Sequence, residues 1–145
     1  MIIANGVAKQ YKERHNLYAN ILKFLNDYEL NIGFKKEKIL DVAQKFESNN
    51  ESKKIIEIYK NHLTQKTDIN FESITILQED EQKFLENIFK NLGAGDVDSE
   101  KLQLSEIKIQ LKAKVEETAK IRDKFCPLII KLSLLFAIAL VILFL

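Results

Sequence analysis

Acidic residues alternate at Asp96, Asp98 and Glu100, a spacing that invites comparison with a calcium-binding loop. Such a loop needs glycine at its sixth position and a bidentate glutamate at its twelfth. Those places hold Lys101 and Ile107, so the acids read instead as helix-capping residues. Gly93-Ala94-Gly95 has the composition of a phosphate loop, but no Gly-Lys-Ser/Thr follows, and it reads as a turn. His15 and His62 lie far apart on charge-rich stretches, without a partner at zinc-ligand or Cys–His spacing, and read as solvated surface residues. Cys126 is the single cysteine, which excludes an internal disulfide and is compatible with a reducing compartment. It reads as a small apolar filler, with acylation beside a membrane as the alternative. No catalytic, cofactor-binding or metal-ligating set emerges. The expectation is a protein that is not an enzyme and carries no cofactor.

The elements that hold these residues should be helices. Proline occurs once, at Pro127, and glycine four times in 145 residues, so breakers are scarce. A first helix is predicted over about Val7 to Ile32, with Tyr11, Tyr18, Ile21, Leu25, Tyr28 and Ile32 at three-to-four spacing and Gly33 as its C-cap. A second is expected over roughly Lys35 to Phe46. A third follows over about Lys53 to Leu63, with Ser52 as its cap. Thr64 to Leu77 alternates imperfectly and reads as a short helix with irregular flanks, since a lone strand would have nothing to pair with. The fourth helix should run from Glu79 to Leu92, with Glu79, Asp80 and Glu81 at its positive end. A fifth should begin near Asp98 or Ser99 and reach about Phe125, where Pro127 breaks or kinks it. Its charged face suits either solvent or a partner helix, and homo-oligomerisation stays open.

From Pro127 to Leu145 the sequence is apolar except for Lys131 and Ser133. As a helix this run would be about 28 Å long, the thickness of a bilayer's hydrocarbon core. Lys131 is close enough to the interface to raise its ammonium to the headgroups, and Lys124 marks the membrane edge. Lys120, Arg122 and Lys124 precede the span and nothing basic follows it, which by the positive-inside rule puts the domain in the cytoplasm. The fold class expected is therefore all-α: an antiparallel bundle of about five to six helices followed by a C-terminal transmembrane helix. Residues 1–6 read as a remnant of an N-terminal membrane segment, 7–126 as the cytoplasmic bundle and 127–145 as the membrane helix. With 22 basic and 21 acidic residues interspersed, no basic stripe marks a nucleic-acid binder.

Several motifs occur in a fixed order: Gly6-x-Ala8-x-x-Tyr11-x-x-Arg14, then Leu22, Leu25, Glu29, Ile32 and Leu40, then Leu92-Gly93-x-x-Asp96, a long amphipathic helix and the terminal span. In these the chain resembles the stage III sporulation protein AB family of endospore-forming bacteria, over essentially its full length. It departs from that pattern in three places. Only Met1-Ile2-Ile3-Ala4 stands where the family opens with a membrane helix, Glu100 replaces an expected glutamine, and Leu132-Ser133 replaces a Leu-Gly. A later glycine of the span is missing too, with Ala137 and Ala139 as small substitutes. The resemblance implies a structural component of the channel joining mother cell and forespore, seated in the mother cell membrane. Its partners would be the lipid bilayer, other channel membrane proteins and the system's cytoplasmic ATPase. It also implies a domain similar to the cytoplasmic helical domains of type II secretion inner-membrane platform proteins. The rival expectation is a tail-anchored coiled-coil adaptor unrelated to sporulation.

Overall fold

The computed structural model describes residues 2–34, 39–48, 50–93 and 96–145. Among these residues there are five helices: α1 (Ile2–Phe34), α2 (Ile39–Lys45), α3 (Asn50–Gln65), α4 (Glu79–Asn91) and α5 (Val97–Phe144). The all-α expectation holds, and no strand occurs among the described residues. The backbone of the molecule is a long antiparallel pair, α1 against α5. Three contacts fix its direction: Ala8 meets Cys126, His15 meets Thr118, and Tyr28 meets Glu100. Numbers rise on one helix as they fall on the other.

The three-to-four spacing of α1 does what amphipathic periodicity requires, since Leu17, Tyr18, Ile21, Phe24, Leu25 and Tyr28 are all buried. From α5, Leu104 and Leu111 close the same core one heptad apart. On the other flank of α1, α3 contributes Ile55, Ile56 and Tyr59, and α2 contributes Val42 and Ala43. An aromatic cluster sits where these elements converge. Phe89 of α4 lies 4.9 Å from the Tyr59 ring, 6.1 Å from Phe24 and 5.7 Å, edge-on, from Phe71.

Element boundaries depart from the sequence reading at several points. α1 starts at Ile2 and runs through Gly33 to Phe34, so Gly33 is not its C-cap. Residues 35–38 of the expected second helix lie outside the described residues, as does Asn49; Phe46 still donates its N–H to the Val42 carbonyl at 3.1 Å. Ser52 is inside α3 rather than at its cap. It is buried, and its hydroxyl accepts from the Asn20 amide at 3.0 Å, tying α3 to α1.

The segment from 66 to 78 holds no helix at all. Ile69, Phe71, Ile74 and Leu77 are buried from a chain of turns, in which Ile74 N–H bonds the Phe71 carbonyl and Leu77 N–H the Ile74 carbonyl. Side chains of α4 satisfy the rest: Glu86 accepts from Phe71 N–H at 2.8 Å, and the Gln82 amide donates to the Ile74 and Leu77 carbonyls. With its polar backbone met this way, the segment can plug the core without regular structure.

His62 helps launch that segment. Its Nδ1 donates to the Thr67 carbonyl at 2.6 Å and its ring stacks on Tyr59, while Lys66 takes a left-handed φ of 55°. The expectation of a freely solvated His62 is thereby corrected, because the turn out of α3 needs a donor at that point.

Beyond Cys126 the pairing ends but α5 does not. It passes through Pro127 unbroken to Phe144 as one helix of 48 residues, so of the break or kink expected there the break does not occur. Proline removes one N–H and frees one carbonyl, that of Asp123, which faces polar surroundings before the apolar run begins. No part of the most apolar stretch is buried, and Leu135, Phe136, Val141 and Leu143 are widely exposed. A core helix of the bundle is excluded for this stretch. By length and composition it is a helix that could span a membrane.

Candidate functional site

The motif residues do not gather into one pocket. They occupy three stations along α1, two of which tie it to α5 and one, between them, to α4.

At the distal end, Leu92 is buried and Gly93 turns the chain with φ +79°. Gly93 N–H donates to Glu100 Oε1 at 2.5 Å, and the Tyr28 hydroxyl donates to the same oxygen at 3.0 Å. Burial, and then the Glu100 carboxylate, push the Tyr28 phenol well above its usual range. Both interactions are donations to one oxygen, which a glutamine amide could also accept, so the glutamine that the resemblance led one to expect here would serve as Glu100 does in that respect. Asp96 is the N-cap of α5, its carboxylate accepting from Ser99 N–H at 3.3 Å, and bonding to Ser99 holds its carboxyl below the usual range. The expected capping role is met by Asp96, whereas Glu100 turns inward. Among the described residues no three His, Cys, Asp or Glu side chains come together as metal ligands. Ala94 and Gly95 lie outside the described residues.

At Gly93 a Cβ would find room, 3.9 Å from Ile39 and 4.0 Å from the Tyr28 hydroxyl. Backbone strain therefore decides the outcome there. Gly93→Ala is expected to destabilise the full-length protein by about 1 kcal/mol or more, and Gly93→Asn by less, because asparagine tolerates the left-handed region. Urea midpoints in mild detergent check the order.

The middle station is an ion pair. Arg14 of α1 donates through Nε to Glu81 Oε1 at 3.0 Å and through a second nitrogen to the same oxygen. Glu81 Oε2 accepts the Gln78 N–H at 2.9 Å, closing the start of α4. Expected as one of three acids near a helix start, Glu81 is instead 3 % exposed and joins α4 to α1. Tyr18 lies beside it, and burial first, with Glu81 next, raises its phenol far above the ordinary value. One turn away the His15 ring contacts the Thr118 hydroxyl at 3.1 Å, half-buried rather than solvated as expected. Burial, and then the Arg122 charge, lower its pKa, so it is neutral near pH 7.

At the proximal end the Tyr11 ring stacks on Phe125 at 6.1 Å, and Lys124 Nζ lies 5.5 Å from the Phe125 centroid. The Cys126 thiol is buried and donates to the Ala8 carbonyl at 3.5 Å, as the filler reading requires. Gly6 is exposed with nothing within 4 Å of a built Cβ, so no packing accounts for its being glycine. Lys131 projects from the apolar half of α5 and is exposed. Arg14 and Tyr11 were legible from sequence as motif members, but their partners Glu81 and Phe125 were not. The signal for Glu81 was present in Gln78-x-x-Glu81, a capping-box spacing just ahead of an apolar run.

A family model for stage III sporulation protein AB matches residues 1–145, the whole of the sequence. The chain belongs to that family. The order of the motifs along the chain corresponds to the three stations, which join α1 to α5 at the two ends and to α4 between them. Comparison with curated proteins and with solved structures gives no match. The likeness to type II secretion platform domains stays an expectation. Membership supports a role in the sporulation channel, and the exposed apolar helix supports association with a membrane.

Proposed function

We propose that this protein is a non-enzymatic scaffold of the sporulation channel, anchored in the mother cell membrane with its bundle in the cytoplasm. The observation that carries the reading is the unbroken α5, which belongs to the bundle over its first half and to the exposed apolar stretch over its second. A single helix of this kind fixes the height and orientation of the domain above the bilayer. Confinement to a plane raises its effective concentration for other membrane subunits. Lys120, Arg122 and Lys124 just before the span favour the cytoplasmic placement.

The contact surface for neighbours lies on the outward face of α5. Leu102 and Ile109, one heptad apart, are 64 % and 68 % exposed, an apolar pair set among Lys101, Gln103, Lys108 and Gln110. Other channel membrane proteins and the cytoplasmic ATPase are the partners this face would meet. A photo-crosslinking residue at position 106, exposed between these two on α5, in full-length protein expressed in sporulating cells, tests it. Adducts with channel subunits are expected, and Leu102→Ser with Ile109→Ser should abolish them at unchanged folding midpoint. Recovery of no channel subunit, together with normal spores from a deletion strain, overturns the reading.

A further inference from the structure

A groove of about 520 Å³ opens between α1 and α5 at the level where the apolar run begins. Its floor is the apolar surface of Cys126, Pro127 and Ile130. Three cations surround that floor, Lys12 from α1 and Arg122 and Lys131 from α5, against one carboxylate, Asp123. Arg122 spends its Nε on Asp123 at 3.0 Å, which leaves its terminal nitrogens for another acceptor. Lys12 and Lys131 make no ion pair among the described residues.

The spacing of these groups along the helix matters. Arg122 and Lys131 are nine residues apart, so on α5 they stand about 13 Å from one another along the axis, with Pro127 between them. Arg122, Cys126 and Ile130 follow at four-residue steps, and Asp123, Pro127 and Lys131 form the neighbouring row, so the groove lies across two adjacent rows with one cation at each end. Unpaired charge at the edge of hydrocarbon is costly unless an anion accompanies it. A phosphate at the level of Pro127 would lie between the two α5 cations with Lys12 beside it, and its acyl chains would continue down over Ile130. Free phosphate has no use for such a floor.

We infer that this groove is a binding site for the headgroup of an anionic phospholipid, held by Lys12, Arg122 and Lys131 with its chains against Pro127 and Ile130. The site rests on the membrane reading of α5, and the experiment separates the two. Full-length protein is reconstituted into phosphatidylcholine vesicles with a minor fraction of phosphatidylglycerol, floated, extracted in mild detergent, and its retained lipids are counted by native mass spectrometry. Retained phosphatidylglycerol is expected to exceed its bulk fraction by on the order of tenfold, as uncompensated cations near an anionic headgroup would give. Lys12→Gln with Lys131→Gln should bring retention to the bulk ratio. Lys120→Gln with Lys124→Gln, which removes the same charge from the same level of the molecule but not from the groove, should leave it enriched.

Flotation with retention at the bulk ratio overturns the groove and leaves the anchor standing. Equal loss in both double variants also overturns it, because a diffuse field would then be the cause. Displacement of the lipid by millimolar inorganic phosphate overturns the commitment to a lipid. Failure to float on any vesicle overturns the anchor and the groove with it.

Discussion

Replacing Arg14 with methionine is expected to cost about 3 kcal/mol of stability, the lower end for breaking a buried ion pair. The lower end applies because the Arg14 side chain is 19 % exposed and water can reach that half, while Glu81 at 3 % is left without compensation. Substituting both, Arg14→Met with Glu81→Met, should recover most of the loss, since an apolar pair of similar volume can replace a buried ion pair at little cost. The comparison is made on urea midpoints of full-length protein in detergent. A single variant as stable as the parent would mean that the pair contributes nothing.

The same pair carries a pH dependence. Burial alone would raise the Glu81 carboxyl, but hydrogen bonds from Arg14 and from Gln78 N–H outweigh it, and the net shift is below the ordinary value of 4.5. A group depressed on folding contributes stability that is complete above its unfolded pKa and disappears as pH falls through its folded one. The parent should therefore weaken on acidification below about pH 4.5. In Arg14→Met only the Gln78 N–H and Tyr18 still oppose burial, so protonation of Glu81 relieves part of the cost while the parent loses its ion pair, and the gap from the parent narrows toward low pH. A gap that widened on acidification would contradict the assignment.

Phe89→Ala should cost more, about 3–5 kcal/mol, and so consume a large fraction of the stability of a domain this size. Phe89 is 1 % exposed and its ring packs on three others from three elements, Phe24, Tyr59 and Phe71. Truncation opens a cavity at the point where α1, α3, α4 and the irregular 66–78 segment converge, and rigid rings cannot collapse into it. Phe89→Leu, which keeps most of the volume, should lose about half as much. Thermal and urea melts followed by helical circular dichroism read both.

The five helices and the apolar terminus were legible because each has a long periodic stripe or an unbroken apolar run, and such patterns survive ignorance of tertiary context. What could not be read depends on that context. Ile69, Phe71, Ile74 and Leu77 follow neither a helical nor a strand period, since their burial is arranged by turns and by Gln82 and Glu86 from the next helix. Gly33 and Pro127 looked like boundaries because both disfavour helix locally, yet each lies inside a helix that continues past it, and single-residue propensity is a weak guide within a long helix. The stations at Arg14 and Glu100 were half visible: the α1 and α5 members stood out by motif, but pairing across many residues of sequence carries no local signal.

The continuity of α5 sets a length as well as an orientation. From the Asp96 cap to Pro127 the helix rises about 45 Å, and with the apolar half in a bilayer, as proposed above, at the usual tilt of a membrane helix its far tip would stand on the order of 40 Å clear of the lipid. Any subunit that engages the Gly93 turn must therefore be tall enough to reach that altitude, whereas a neighbour confined to the bilayer can grip only the stem near Tyr11 and Phe125. The rod acts as a gauge that sorts associates by their own reach.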